Sequence, residues 1–227
     1  MTWLIWPLVL AAAGAAQAQT RTMARGPHRM ELMLERRDGG AWRSVDPGLV
    51  FAQGDRVRFR FRTNFDGYLY VMNRSTSGNY EQLFPRAETG TDNRVIAGKD
   101  YFVPATETAF RIAGPPGHEI VYWMMTPAAV SGAAPEYKPL PPPPAREAPQ
   151  NLLPRCDDTM FRSRGECIDT SAGPKLVPRG ADLPENLAGV QMDERELLIM
   201  RQKNTAVLAS PAPLEGPVIY EFRLAHR

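Results

Sequence analysis

Few residues of this chain have the types and spacing to do chemistry, and the cysteines come first. Cys156 and Cys167 are the only two in 227 residues. In an exported chain a close pair reads as a disulfide. A metal site would want further ligands nearby, and the whole chain holds three histidines. Closing so short a loop restricts the unfolded chain and is expected to add about 2–3 kcal/mol. His118-Glu119-Ile120-Val121-Tyr122 invites comparison with the zinc-protease helix. That motif needs a second His four residues on, where Tyr122 stands, and the segment reads as a strand. A nucleophile elbow, a phosphate-cradling Gly loop and an activated Cys–His pair are all missing from the sequence. A His-dependent triad would have to use His28, His118 or His226, and the first and last lie near the mature chain's ends, where disorder is common. The reading is therefore non-enzymatic, with no catalytic residues, no cofactor and no metal ligands. A hydrolase built on scattered Asp and Glu ranks third among the alternatives.

Two surface features invite a binding role. Arg56, Arg58, Arg60 and Arg62 alternate with Val57, Phe59 and Phe61. A strand sends successive side chains to opposite faces, so the four Arg share one face and the apolar residues the other. Such a basic stripe could hold a polyanion. The plainer reading is a charge ladder, because Glu31 and Glu35 have the outward parity of the first strand and Glu221 that of the last. Tyr68, Tyr70, Tyr80, Tyr101, Tyr122 and Trp123 could form a platform for glycan, although such residues are more often core or half-buried sheet residues.

The elements that must position these residues are strands. Met30, Leu32 and Leu34 alternate with Glu31, Met33 and Glu35. Asp38-Gly39-Gly40 is a turn, followed by a short strand at 41–45. Beyond the Arg strand, 68–72 is apolar on both parities and predicts a more central position. Short strands follow at 80–84, 94–97, 101–103 and 109–112, and a long one at 118–126, with turn residues between them. Val218, Tyr220, Phe222 and Leu224 mark a last strand. Residues 196–202 fit either a capped helix or the first arm of a hairpin, and the hairpin is favoured because it leads into that last strand. The fold class is all-β, an Ig-like antiparallel β-sandwich; periodicity alone does not separate a sandwich from a barrel.

Residues 1–18 read as a signal peptide: an apolar run from Trp3 to Ala16 ends in Ala16-Gln17-Ala18. The run is shorter than the about 20 apolar residues a membrane span needs, so no span is expected in the mature chain. Residues 19–28 form a lead-in and 29–126 the main part of the sandwich. Residues 127–154 contain Pro139-Leu140-Pro141-Pro142-Pro143-Pro144, an extended polyproline stretch that reads as a spacer, the alternative being a ligand for an aromatic groove of a partner. Residues 155–192 carry the Cys pair and read as an irregular, disulfide-pinned insertion. Residues 193–227 supply C-terminal strands that rejoin the sandwich, because a lone hairpin and one strand bury too little to stand apart. A net charge of +2 argues against nucleic acid as a partner.

A family resemblance runs through the middle of the chain. Gly54-Asp55, Asp66-Gly67-Tyr68-Leu69-Tyr70-Val71, Gly78, Leu83-Phe84-Pro85, Asn93-Arg94-Val95-Ile96-Ala97-Gly98, Pro104 and Pro116-Gly117-His118-Glu119 occur in that order. In this the chain resembles a bacterial family labelled domain of unknown function 4384, over about residues 48–126. The resemblance implies a β-sandwich-like accessory module, often exported or joined to other modules, and brings no catalytic residues with it. Gly67 and Gly78 suit turn positions of positive φ. The functional expectation is an exported, periplasmic or secreted bacterial envelope module with a structural role or a protein partner, the alternative being a glycan- or polyanion-binding module.

Overall fold

The computed structural model describes residues 28–129, 153–157, 159–163, 165–177, 183, 187, 197–210 and 216–227. The expected signal peptide, nearly all of the lead-in, the polyproline run and residue 196, where the alternative helix would begin, lie outside the described residues. The strands are β1 (His28–Asp38), β2 (Ala41–Ser44), β3 (Val50–Phe51), β4 (Arg56–Thr63), β5 (Gly67–Arg74), β6 (Tyr80–Phe84) and β7 (Arg94–Val95). They continue with β8 (Asp100–Val103), β9 (Phe110–Arg111), β10 (Gly117–Thr126), β11 (Gly173–Leu176), β12 (Leu198–Gln202), β13 (Thr205–Ser210) and β14 (Val218–His226). A short helix, α1 (Thr159–Ser163), follows the first cysteine.

The chain folds as a β-sandwich. One sheet has the order β12-β13-β1-β4-β8, with β2 on β1 and β9 on β4; the other has β11-β14-β10-β5-β6, with β3 on β14 and β7 on β5. All pairings are antiparallel except β3 with β14. The alternation in β4 does what its sequence dictates: Val57, Phe59 and Phe61 are buried, and the arginines between them face outward. Across the interior Phe59 meets Trp123 of β10 and Phe222 of β14 edge-on, with ring centroids 5.0 and 5.4 Å apart. Leu32 and Leu34 of β1, Leu69 and Val71 of β5 and Leu208 of β13 complete the core.

β5 was expected to be central, and it lies between β10 and β6. Its second apolar face is covered as well. Met72, Tyr122, Met124 and Ile219 cluster on the outside of their sheet with Leu187, and Val177 and Leu183 pack against them. The insertion thus supplies a lid for an outer sheet face, which is why β5 and β10 are apolar on both parities. It also supplies β11, an edge strand read beforehand as irregular. Gly-Pro-Lys-Leu shows no alternation, and its proline is tolerated because it sits at the sheet edge. Residues 198–210 form the hairpin β12–β13, turning through Lys203 at φ 51°. Gly78 has the expected positive φ of 85°. Gly67 does not; it is glycine because a Cβ there would stand 2.6 Å from the Thr126 carbonyl oxygen. His226, expected in a loose terminus, is instead 1% exposed at the end of β14.

Candidate functional site

The two sheets do not close alike along their sides. Where β8, the edge of one sheet, faces β6 and β7, the edge of the other, a cleft of about 190 Å³ opens. Its lining includes Phe84, Asp92, Arg94, Asp100, Tyr101 and Phe102. The walls are held by the backbone around them. Asn93 and Leu69 exchange hydrogen bonds: the Asn93 carbonyl accepts from the Leu69 N–H at 2.9 Å, and the Asn93 side-chain amide donates to the Leu69 carbonyl at 3.2 Å. The Arg94 N–H donates to Asp92 Oδ1 at 3.1 Å, and the Ala97 N–H to Asp66 Oδ1 at 2.7 Å. The chain then turns back through Gly98 (φ 79°), whose N–H donates to the Thr63 carbonyl at 2.7 Å. The Tyr101 hydroxyl accepts from the Ile96 N–H at 2.8 Å, and the Tyr101 ring stacks on Phe61 with centroids 5.3 Å apart. Asn93, Asp66 and Tyr101 Oη are thus engaged in building the cleft. Among the described residues, the Arg94 guanidinium has no hydrogen-bond or ion-pair partner.

The Arg stripe lies outside this cleft, on the outer face of β4, and half of it is already neutralised. Arg58 Nε donates to Glu35 Oε2 at 2.6 Å, and its guanidinium lies between the rings of Trp42 and Phe102, 4.3 Å from each centroid. Arg60 donates to Asp100 Oδ2 at 2.6 Å. Arg62 stands across from Glu31 on one side and Asp100 on the other, while Arg56 is exposed opposite Arg111. Pairing with Glu35 follows from parity. Asp100, Trp42 and Phe102 were not among the anticipated partners, because a short strand and a hairpin arm carry no local sign of which neighbour they join. Of the proposed aromatic platform, Tyr122 and Trp123 are buried, Tyr70 and Tyr80 pack against the outer apolar cluster, and Tyr101 lines the cleft.

Two polar networks hold the cysteine-bearing segment and the sandwich end. Cys156 and Cys167 are disulfide-bonded, with Cα atoms 4.8 Å apart, and Cys156 packs with Cys167 against Val50, Ala172 and Ala225. Beside them His118 Nε2 lies 3.3 Å from Asp169 Oδ2 and 3.4 Å from Ser171 Oγ, and Ser171 Oγ donates to Asp169 Oδ1 at 2.6 Å. A catalytic triad uses the two nitrogens of its imidazole for different partners. Here serine and carboxylate meet the same nitrogen, and the serine already gives its proton to the carboxylate, so the trio anchors the loop to β10. Burial works to raise the Asp169 carboxyl, but the Ser171 hydroxyl, the Arg155 and Ser171 amides and the nearby His118 outweigh it and hold it below the usual range. Inside the sandwich, Glu119 accepts from Asn73 Nδ2 at 2.8 Å and from Thr76 Oγ1 at 3.2 Å, with His226 Nε2 at 3.5 Å. Burial opposes the Glu119 charge, but His226, Asn73 and Thr76 overcome it and the carboxyl is lowered. A second opening, lined by Met30, Phe65, Met125, Leu208, Val218 and Tyr220, measures about 20 Å³ and has room for little more than one water.

No group of three or more His, Cys, Asp or Glu among the described residues is placed to hold a metal ion, and no helix among them is long and apolar enough to cross a membrane. Residues 50–128 match the family model described as domain of unknown function (DUF4384). No curated protein and no solved structure matches the chain. The matched residues carry every strand from β3 to β10, and with them the whole lateral cleft.

Proposed function

We propose that this chain is an exported, non-enzymatic β-sandwich module of the bacterial cell envelope that works by holding a protein partner. The observation that carries the reading is the edge strand β12. Among the described residues it pairs with β13 on one side only. Leu198 and Met200, which share its outward parity, are 57% and 41% exposed. An open edge bearing apolar side chains is a template for pairing with another chain, and a protein that works alone usually blunts such an edge. The Cys156–Cys167 bond supports placement in an oxidising compartment.

The reading is tested by photocrosslinking in intact cells from a reactive residue placed at Gln202 on β12. A discrete crosslinked partner is expected, lost in the double variant Leu198→Lys plus Met200→Lys while circular dichroism of the purified variant stays unchanged. Adducts that persist in the folded double variant would remove β12 as the docking edge.

A further inference from the structure

We propose that the partner at β12 is a second copy of this chain, joined antiparallel about a two-fold axis beside Met200; the inference rests on β12 being the docking edge. The edges of the two sheets are not equally open. Among the described residues, β2, β3, β7, β8, β9 and β11 each have one neighbour and are four residues long or shorter. Of the edge strands only β6 and β12 reach five. β6 is already capped. The Arg86 guanidinium donates to its Gln82 carbonyl at 3.2 Å, and the Thr89 hydroxyl donates to its Leu83 carbonyl. On β11, Pro174 offers no N–H, and the Ala172 carbonyl just before the strand is taken by Arg201. Such devices blunt an edge against pairing. β12 holds no proline, and among the described residues no side chain caps its backbone.

Two copies therefore meet edge to edge most fully through β12 on both sides, an isologous contact that closes on itself as a dimer. Antiparallel pairing centred on Met200 uses all five residues of the strand. It sets Met200 beside its own counterpart, Leu198 beside Gln202 of the second copy and Ile199 beside Arg201 of the second copy. Directly opposed residues share a face of the sheet. Leu198 and Met200 are exposed, and across β13 they share their face with Ala209 and Val207. The joined sheet then runs apolar through the axis, from Val207 over the two Met200 side chains to Val207 of the second copy. Charge agrees with this orientation. Within β12 the one ionisable side chain is Arg201, and its guanidinium is turned to the Ala172 carbonyl of its own copy. In sequence, Asp193-Glu194-Arg195-Glu196 precedes the strand, and Arg201-Gln202-Lys203 ends it. Antiparallel copies bring the acidic end of each toward the basic end of the other. Parallel copies would set like charge on like.

The experiment adds cysteines to β12 of the purified protein, treats each variant with a short bismaleimide and resolves it by denaturing electrophoresis. Met200→Cys is expected to give a covalent dimer. Leu198→Cys alone is expected to give none, because the two copies of residue 198 stand about 14 Å apart along the strands. Combining Leu198→Cys with Gln202→Cys should restore the dimer. Sedimentation equilibrium of the parent should show a dimer. Leu198→Lys plus Met200→Lys should raise its dissociation constant about a hundredfold, because it opposes two ammonium groups at the axis. Should that variant unfold, the pattern of cysteine crosslinks carries the test. The second copy is overturned if the parent stays a monomer at about 0.5 mM. It is overturned equally if Leu198→Cys alone crosslinks as well as Met200→Cys, or if the folded lysine variant dimerises as the parent does. A monomer whose position 202 crosslinks a different protein in cells overturns the second copy alone and leaves β12 as the docking edge. A monomer with no adduct in cells overturns both.

Discussion

The sandwich has two lateral halves with different origins. One half, β4–β8 and β5–β10 with their short satellites, is a continuous run of chain that coincides with the family match. The other half is β1, β12 and β13 in one sheet and β11 and β14 in the other, gathered from both sides of that run. The continuous half ends in an open cleft walled by polar and aromatic groups. The gathered half ends in fastenings: the Arg201 guanidinium donates to the Ala172 carbonyl, joining the edge segments of the two sheets, and the disulfide and the His118–Asp169 pair lie close behind. The difference teaches that chain continuity substitutes for cross-links. Strands joined by short turns close their own loops cheaply, whereas strands recruited from afar need local fastening.

The comparison is broken most severely by separating the halves. A fragment of residues 48–128 would expose the edge of β4 that pairs with β1 and the edge of β10 that pairs with β14. It would also lose Phe222 from Phe59. It is expected to aggregate or show no cooperative urea transition, and a monomeric fragment that unfolds cooperatively would refute the interdependence. Next in size is the double variant Cys156→Ser plus Cys167→Ser. It should cost about 2–3 kcal/mol in urea unfolding, with hydrogen exchange quickening around Val50 and β14 before it changes at the cleft. Equal loosening of both edges would contradict the assignment of the disulfide to one half.

The smallest effect concerns acid. Asp169 titrates below its unfolded value of about 3.9. A carboxyl lowered by folding gives stability that is fully present above that value and is lost as pH falls through the folded one. Asp169→Asn should therefore be less stable at neutral pH and should lose less of its stability between about pH 5 and pH 2 than the parent does. Parallel stability curves for the two proteins over that range would show that the fastening carries no linked proton.

Much of the fold is legible in single segments. The alternation of β1 and β4 states which face is buried, and Lys203-Asn204 marks the hairpin that closes between β12 and β13. What stays hidden depends on partners distant in sequence. β3 is two residues long and exists because Val50 and Phe51 align with the end of β14. The lid of Leu183 and Leu187 becomes meaningful only beside the doubly apolar β5 and β10. His118 and Asp169 carry no spacing signal, and the cleft is a gap between two edges that no one segment describes. The arginines of β4 are legible as a face, but whether that face is bare depends on Glu35, Trp42, Phe102 and Asp100 from three other strands.

The position of β14 also sets a clock. It lies inside its sheet, between β10 and β11, yet it is made after both. The same holds for β13, which pairs Leu208 with Met30 of the opening strand. Contacts between the first and last parts of a chain close slowly, and neither sheet is complete until those residues have been synthesised. A growing polypeptide with this strand order stays open until β14 has been made, and its sheet closes only when that strand takes the place kept for it between β10 and β11.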